Sequence, residues 1–313
     1  MRHNLATMRR FRLAAGCVTT SLSLGCASLV VAPAAAPATP LPSDVVTDAR
    51  SLDQPSNAAR LDAVQTLLRK RGLAFTLQPF PNASRQRDPR DEGHNVIVDL
   101  PGPAGPEIVV GAHLDAVPLS GGGHSHGMVD NGAGVVVLTR VAEVMHAHPR
   151  RHRIRVVFFD MEENGLQGSK HFANSLDRAG VAAMVNVDIA GYGDTILSGA
   201  APGAERLRQA LTKVCAARDY DCLRFPALPT SDDRSFQAVG IPAISMAVLP
   251  ALEAHQIWLL LNGGKESGLS AGFAPPILRT IHTPGDAADK LTPQGMSLIY
   301  NAVVGLLVEL DAR

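Results

Sequence analysis

A histidine and an aspartate two positions apart form the first pair of residues that could do chemistry. The run His113-Leu114-Asp115 follows the short apolar segment 108–111. In an extended segment, residues i and i+2 point to the same side, so this imidazole and this carboxylate share one face. A metal-binding histidine commonly donates its second ring N–H to a carboxylate, which orients the ring. We therefore expect His113 to bind a metal ion and Asp115 to orient it; a surface pair without a ligand is the alternative.

Three more carboxylates stand where loops are expected. Asp130 begins a glycine-containing run that leads into an apolar helical segment, and Glu162 and Glu163 directly follow the apolar run 156–159. Adjacent acids repel each other unless a proton or a cation intervenes. In a site with two metal ions, one glutamate can bind metal while its neighbour takes a proton from water. Helix capping by Asp130 and a solvated helix start at the two glutamates are the alternatives.

Two further candidate ligands come from later loops. Asp188 ends the apolar run 184–187, and His282 lies in a turn-rich loop before the last helical segment. Together with Asp130, His113 and one glutamate of the pair, they provide two imidazoles and three carboxylates without any thiolate. This mixture of nitrogen and oxygen ligands is typical of zinc, and one of the carboxylates is expected to bridge two ions.

The elements that must position these residues are visible as alternating apolar and amphipathic segments. Strands are expected over 95–100, 107–111, 154–159, 182–187 and 241–248, and helices over 58–71, 132–146, 166–177, 204–218 and 293–310. The alternation is typical of an α/β fold in which helices cover both faces of a mainly parallel sheet. Loops at the carboxyl ends of such strands meet in one crevice, so the candidate ligands are expected to share one site.

The first 40 residues have the features of an export signal and a linker. Four arginines precede an apolar stretch over 13–31, and alanines at 34–36 follow it. We therefore expect an exported protein, periplasmic or secreted, with this signal and linker over 1–40 and a single domain over 41–313. A membrane-anchoring helix is the alternative, and Cys26 is a candidate lipid-attachment site, which would make the protein a lipoprotein.

The charge balance and the remaining cysteines add two expectations. Without the four N-terminal arginines, 25 basic residues stand against 29 acidic ones, so the composition does not favour a nucleic-acid partner. We also expect no stable membrane span in the mature chain. Cys215 and Cys222 lie close together in sequence, and in an oxidising compartment a local disulfide is favoured over two free thiols.

Six short runs, from about residue 95 to the C-terminus, resemble the M28 family of zinc aminopeptidases in identity and in order. Each run alone is common, whereas all six in this order are specific to the family. The runs are Gly111-Ala112-His113-Leu114-Asp115, Val129-Asp130-Asn131-Gly132, Glu162-Glu163-Asn164-Gly165-Leu166-Gln167-Gly168-Ser169, Asn186-Val187-Asp188, Ser231-Asp232 and His282-Thr283-Pro284-Gly285-Asp286.

The resemblance implies how five ligands would divide between two zinc ions per chain. Asp130 would be the carboxylate that bridges both ions. His113 and Asp188 would complete one shell, and Glu163 and His282 would complete the other. The same resemblance implies a three-layer α/β/α fold around a mixed, mainly parallel sheet.

The resemblance also implies an activity. Glu162 would be the general base that activates water for attack on the first peptide bond, so the substrates would be peptides with a free N-terminus. A glutaminyl cyclase, which shares the scaffold, is one alternative. A catalytically inactive binding module is the other.

Two more residues are weaker candidates near the site. Tyr220, two residues before Cys222, resembles a tyrosine that stabilises the reaction intermediate in some members, although its spacing differs. Asp232 matches an acid beside the site in the family. Many relatives have histidine at the next position, where this chain has Asp233, and this difference leaves a role for Asp232 in substrate binding open.

Overall fold

The strands of the central sheet divide their side chains between two hydrophobic clusters. The computed structural model describes residues 41–312 except 101, 104, 149 and 227. In it, Val110 and Val156 belong to the larger cluster, whereas their neighbours Val109 and Val157 belong to the smaller one. Because successive side chains of a strand point to opposite faces, this alternation means that both faces of the sheet are covered.

Eight strands and nine α-helices are formed by the described residues. The strands are β1 (Thr76–Pro81), β2 (Glu92–Leu100), β3 (Glu107–His113), β4 (Ile154–Phe159), β5 (Val181–Val187), β6 (Thr195–Ala200), β7 (Cys222–Phe225) and β8 (Ala243–Leu249). The helices are α1 (Val45–Arg50), α2 (Asn57–Lys70), α3 (Ala133–Ala147), α4 (Gln167–Ser175), α5 (Glu205–Arg218), α6 (Asp233–Ala238), α7 (Ala251–Asn262), α8 (Pro276–Thr280) and α9 (Pro293–Asp311).

The eight strands form one mixed sheet in the order β1-β2-β4-β3-β5-β8-β6-β7. The central pairings β4–β3, β3–β5 and β5–β8 are parallel, as is β6–β7, and the pairings β1–β2, β2–β4 and β8–β6 are antiparallel. The carboxyl ends of β4, β3, β5 and β8 therefore lie along the same edge. A loop that leaves any of these strands begins at that edge.

Helices pack on both faces of the sheet, which confirms the predicted three-layer arrangement. On one face, Phe172 of α4 and Phe236 of α6 pack against Phe159 of β4 and against each other, with ring centroids 5.8 to 6.1 Å apart. The other face carries the larger cluster, to which α3 and α9 contribute most of their buried side chains. Both helices are long and apolar on their inner sides, as the sequence pattern requires.

Every predicted strand and helix overlaps an observed one, but three strands were missed. The strand β1 contains Pro79 and Pro81 and lies at the edge of the sheet, where missing N–H donors are tolerated. The strand β7 has four residues and forms the opposite edge. The sequence of β6 includes Ser198 and Gly199, which interrupt its apolar run. Short and edge strands have little periodicity from which to predict them.

The N-terminal expectations fall largely outside the described residues. The export signal and linker over 1–40 and the candidate lipid site Cys26 lie in the part that is not described. Within the described part, no helix combines the length and the apolar character needed to cross a membrane. Cys215 and Cys222 form a disulfide that links the end of α5 to the start of β7.

Candidate metal centre

Six side chains that are distant in sequence meet at the carboxyl ends of β3, β4 and β5. One is the last residue of β3, two follow β4, one follows β5, and two come from other loops. They are His113, Glu162, Glu163, Asp188, Asp130 and His282. The structure thus brings together all five predicted ligands and the predicted base.

The six residues form overlapping groups of three that are suited to a metal ion. One group is His113, Asp130 and Asp188, and another is Asp130, Glu163 and His282. In each group the ligand atoms lie within 4.8 Å of one another. A third group joins His113 to Glu162 and Glu163. The first two groups share only Asp130, and they have the composition that the family resemblance implies for two metal shells.

The Asp130 carboxylate lies between the two imidazoles. Its Oδ1 atom is 2.9 Å from Nε2 of His113, and its Oδ2 atom is 3.2 Å from Nε2 of His282. The same Nε2 of His113 lies 3.4 Å from Oδ1 of Asp188. The Nε2 of His282 lies 3.2 Å from Oε1 of Glu163. Each oxygen of Asp130 therefore faces a different group of ligands.

Asp115 positions two parts of the site at once. Its Oδ1 atom lies 3.5 Å from Nδ1 of His113, and its backbone oxygen lies 3.2 Å from the same nitrogen. Its carboxylate also accepts the backbone N–H groups of Glu162, at 3.0 Å, and of Glu163, at 3.1 Å. Asp115 thus contacts the imidazole of His113 and holds the backbone of the acid pair.

Left-handed backbone conformations cluster around the site. Of five described non-glycine residues with positive φ, three either belong to the six or directly adjoin one of them: Met161 at 56°, Ile189 at 66° and His282 at 59°. This region of φ is unfavourable for branched and bulky residues and costs about 1–3 kcal/mol each. Contacts with surrounding residues must stabilise these left-handed conformations, because the backbone alone does not favour them.

Asp286 anchors the backbone at and before Asp130. It is fully buried, and its carboxylate accepts the backbone N–H groups of Val129, at 2.6 Å, and of Asp130, at 3.2 Å. This joins the loop that carries His282 to the loop that carries Asp130. Asp286 ends one of the six runs that resemble the M28 family, but the resemblance gave it no role.

Arg60 is a second supporting residue, and it was not predicted. The guanidinium on α2 is buried and donates to the backbone oxygens of Leu114, His126 and Gly127 at 2.5 to 2.8 Å. It thereby ties the turn after β3 to the loop before Asp130. The sequence does indicate that Arg60 is buried, because it lies four residues before the buried Val64 and so occupies the apolar stripe of its helix.

Burial and mutual repulsion raise the pKa of several carboxyl groups. Burial, with the charge of Asp130 as the next cause, raises the pKa of Glu163 to about 7, and burial raises that of Glu162 well above its usual range. Hydrogen bonds to Asp130 and Glu163 raise the pKa of His282 to about 10. So much negative charge in a buried place favours a bound cation. Two imidazoles and three or four carboxylates are a donor set that fits zinc.

A cleft with a volume of about 310 Å³ opens beside the six residues. Asp130, Glu162, Glu163, Asp188 and His282 line one end. The other end is mostly apolar and is lined by Ile189, Leu197, Leu228, Pro229, Ala247, Leu249, Ile257, Ile277, Leu278 and Ile281. We call this second part the apolar lobe. The cleft thus joins the polar cluster to a mostly apolar surface, as is common in ligand-binding sites.

The two weaker candidates have different outcomes. Asp232 is fully buried, and burial raises its pKa to about 8 even though the charge of His113 opposes the shift. It lies near enough for His113 and Asp188 to act on it electrostatically. Tyr220 does not line the cleft. It lines a separate depression beside Cys215 and Cys222, so the structure does not bring it to the six residues.

Replacing Asp286 with alanine is expected to weaken zinc binding about 10- to 100-fold, because the loop that carries Asp130 loses two backbone anchors. Competition with a chromogenic chelator would measure the affinity, and circular dichroism would check the fold. The control is Asp289→Ala, which removes a nearby, exposed carboxylate. Equal zinc affinity in Asp286→Ala and the native protein would contradict the role of this anchor.

Comparisons with known proteins identify the family and the fold. Residues 95–307 match peptidase family M28. The chain is 36% identical to Aminopeptidase YwaD of Bacillus subtilis over 104 residues, which are 33% of this chain and 19% of YwaD. Among solved structures, a zinc aminopeptidase from Bacillus subtilis, BSAP, has a TM-score of 0.55 at 20% identity, covering 71% of this chain and 51% of that one.

A third comparison concerns a different activity. The glutaminyl cyclase of Porphyromonas gingivalis has a TM-score of 0.66 at 20% identity, covering 87% of this chain and 99% of that one. The chain thus spans about a fifth of the length of YwaD and half that of BSAP, but nearly all of the cyclase. The two structural similarities establish the fold, and the match over 95–307 establishes the family: the chain belongs to peptidase family M28.

Proposed function

We propose that the protein is a zinc-dependent aminopeptidase that removes apolar N-terminal residues from peptides. The observation that carries the proposal is the pair of ligand groups sharing Asp130 at one end of a cleft whose other end is apolar. Family membership and the names of the aminopeptidase relatives support the same reading.

Two zinc ions would be held by the two groups of ligands. His113 and Asp188 would bind one ion, Glu163 and His282 the other, and Asp130 both. When bound, zinc polarises a carbonyl and lowers the pKa of water, which makes hydrolysis feasible at neutral pH. Asp115 would orient His113 for this purpose, since it lies against Nδ1 while Nε2 faces Asp130.

Glu162 is suited to move the proton in this reaction. Its side chain lines the cleft, and Asp115 holds its backbone N–H, so the carboxylate is kept beside the ligand groups. Burial raises its pKa, which brings a carboxylate closer to the value that an efficient general base needs. Glu162 would take a proton from the attacking water and deliver it to the amine that departs.

The apolar lobe would receive the side chain of the N-terminal residue. Its wall includes α8, and Glu253 of α7 fixes that helix by accepting the backbone N–H of Ile277 at 2.8 Å. Tyr192 donates to the other oxygen of Glu253 at 2.6 Å. A fixed apolar wall favours the binding of aliphatic side chains, because each buried methylene group contributes about 0.8 kcal/mol to the free energy of binding.

A glutaminyl cyclase remains the second candidate because the cyclase from Porphyromonas gingivalis is covered almost completely by this chain. Cyclisation uses the α-amine of the substrate as nucleophile, whereas hydrolysis uses water. The mostly apolar lining of the lobe favours an aliphatic side chain over the amide of glutamine. Ammonia release from an N-terminal glutaminyl peptide, without a new free amino acid, would identify the cyclase.

We also propose that the protein acts outside the cytosol. The disulfide between Cys215 and Cys222 is of the kind that persists in oxidising compartments. The arginine-rich start of the chain followed by an apolar stretch supports export. Immunodetection in the periplasmic and culture fractions of a producing cell would test this location.

Replacing Glu162 with glutamine is expected to lower kcat about 10²- to 10⁴-fold on leucyl p-nitroanilide while zinc content stays unchanged, because the base is lost and the ligands remain. Elemental analysis would be run on the same samples as the kinetics. Glu92→Gln, at an exposed residue outside the cleft, serves as the matched control. Near-normal turnover in Glu162→Gln would refute the assignment of the base.

Enlarging Ala247 to leucine is expected to reduce the space in the apolar lobe. Ala247 is buried on β8 and lines this lobe. The kcat/KM for leucyl p-nitroanilide should fall about 10-fold relative to that for alanyl p-nitroanilide, because only the larger side chain is crowded. Ala217→Leu, on the exposed side of α5, is the control. An unchanged ratio of the two substrates would show that the lobe does not receive the N-terminal side chain.

A further inference from the structure

The loop between β1 and β2 lies against the turn that carries the candidate ligand Glu163, and we call this loop the rim. This loop covers 82–91 and is fastened to the turn after β4 by side-chain hydrogen bonds. Asn82 accepts from Asn164 and from Gln167, both at 3.0 Å. Asn164 also donates to the backbone oxygen of Ser84 at 2.7 Å. The rim is therefore held by several contacts besides those of Arg87, among them an ion pair between Arg90 and Asp160 at 2.8 Å.

Arg87 stands on this rim next to a cleft residue. Its Nη1 donates to the backbone oxygen of Glu163 at 2.9 Å, and the Glu163 carboxylate lies in the cleft. The Arg87 side chain is exposed, and within the described part of the chain no carboxylate forms an ion pair with it. Two positions earlier, Arg85 is paired with Asp91. Arg87 thus keeps several guanidinium donors available to a ligand.

The order of the strands places Arg87 opposite the apolar lobe. Leu197 of β6 and Ala247 of β8 belong to the lobe, on one side of β5. Arg87 adjoins β2 and β4, on the other side of β3. The six polar residues lie between them. A peptide whose first side chain occupied the lobe and whose first peptide bond lay at the polar centre would extend towards the side of the sheet on which Arg87 lies.

We propose that Arg87 binds the C-terminal carboxylate of di- and tripeptides, so that short peptides with a free carboxylate are the preferred substrate class. This inference rests on the proposed aminopeptidase function and adds the part of the substrate beyond the cleaved bond. One residue advances an extended chain by about 3.3 to 3.6 Å, so a short peptide ends close to the cleft. A guanidinium binds a carboxylate through two parallel hydrogen bonds, which a neutral amide cannot reproduce.

The test compares substrates that differ only in this carboxylate. Kinetics would be measured on zinc-loaded protein with leucyl-alanine and with leucyl-alaninamide, using Arg87→Ala, Arg87→Lys and the control Arg85→Ala. In Arg87→Ala, kcat/KM for leucyl-alanine should fall about 10-fold, while that for leucyl-alaninamide should change less than about twofold. Arg87→Lys should recover part of the loss, and Arg85→Ala should resemble the native protein.

The salt dependence gives a second readout that a merely structural role would not produce. The advantage of leucyl-alanine over its amide should shrink between low and high sodium chloride in the native protein and be absent in Arg87→Ala. Equal losses for both substrates, or no loss in Arg87→Ala, would overturn the proposal. Hydrolysis of neither substrate by zinc-loaded native protein would instead contradict the proposed aminopeptidase function.

Discussion

The carboxylate of Asp130, placed between two imidazoles, is the group on which the site depends. One oxygen faces His113 and the other faces His282, so a single side chain belongs to both groups of ligands. The backbone at Asp130 must be held accurately, because a shift would disturb both groups of candidate ligands together. Asp286 reduces this freedom by accepting two backbone N–H groups at and before Asp130. The geometry of the centre is thus set partly by residues that never face the cleft.

The fold brings the remaining ligands to Asp130 through the ends of parallel strands. Three neighbouring strands, β4, β3 and β5, end at one edge of the sheet, and their last residues or following turns supply the other candidate ligands except His282, which lies in the loop after α8. Left-handed turns at Met161 and Ile189 redirect the chain where each loop leaves its strand. Tertiary contacts stabilise these turns, and the packed cores on both faces keep the strand ends in register.

Much of the site could be predicted from sequence because its residues carry distinctive chemistry and follow apolar strands. The supporting residues were harder to find. Asp286 acts through backbone N–H groups of another loop, and Arg60 through carbonyl oxygens, so residue types do not identify these partners. Only the position of Arg60 on the apolar stripe of α2 indicates its burial. Tyr220 is a different case: its position two residues before Cys222 suggested a site residue, whereas its side chain lines a depression separate from the cleft. The strands β1 and β7 were missed because edge strands need little apolar periodicity.

The number of zinc ions bound per chain tests the central role of Asp130 most directly. Native protein and Asp130→Ala would be loaded with zinc, dialysed and analysed for metal by mass spectrometry, with circular dichroism to verify folding. We expect about two zinc ions per native chain and loss of both in Asp130→Ala, because both ligand groups share this carboxylate. A single ion in the native protein, or full occupancy of two ions in a folded Asp130→Ala variant, would contradict it.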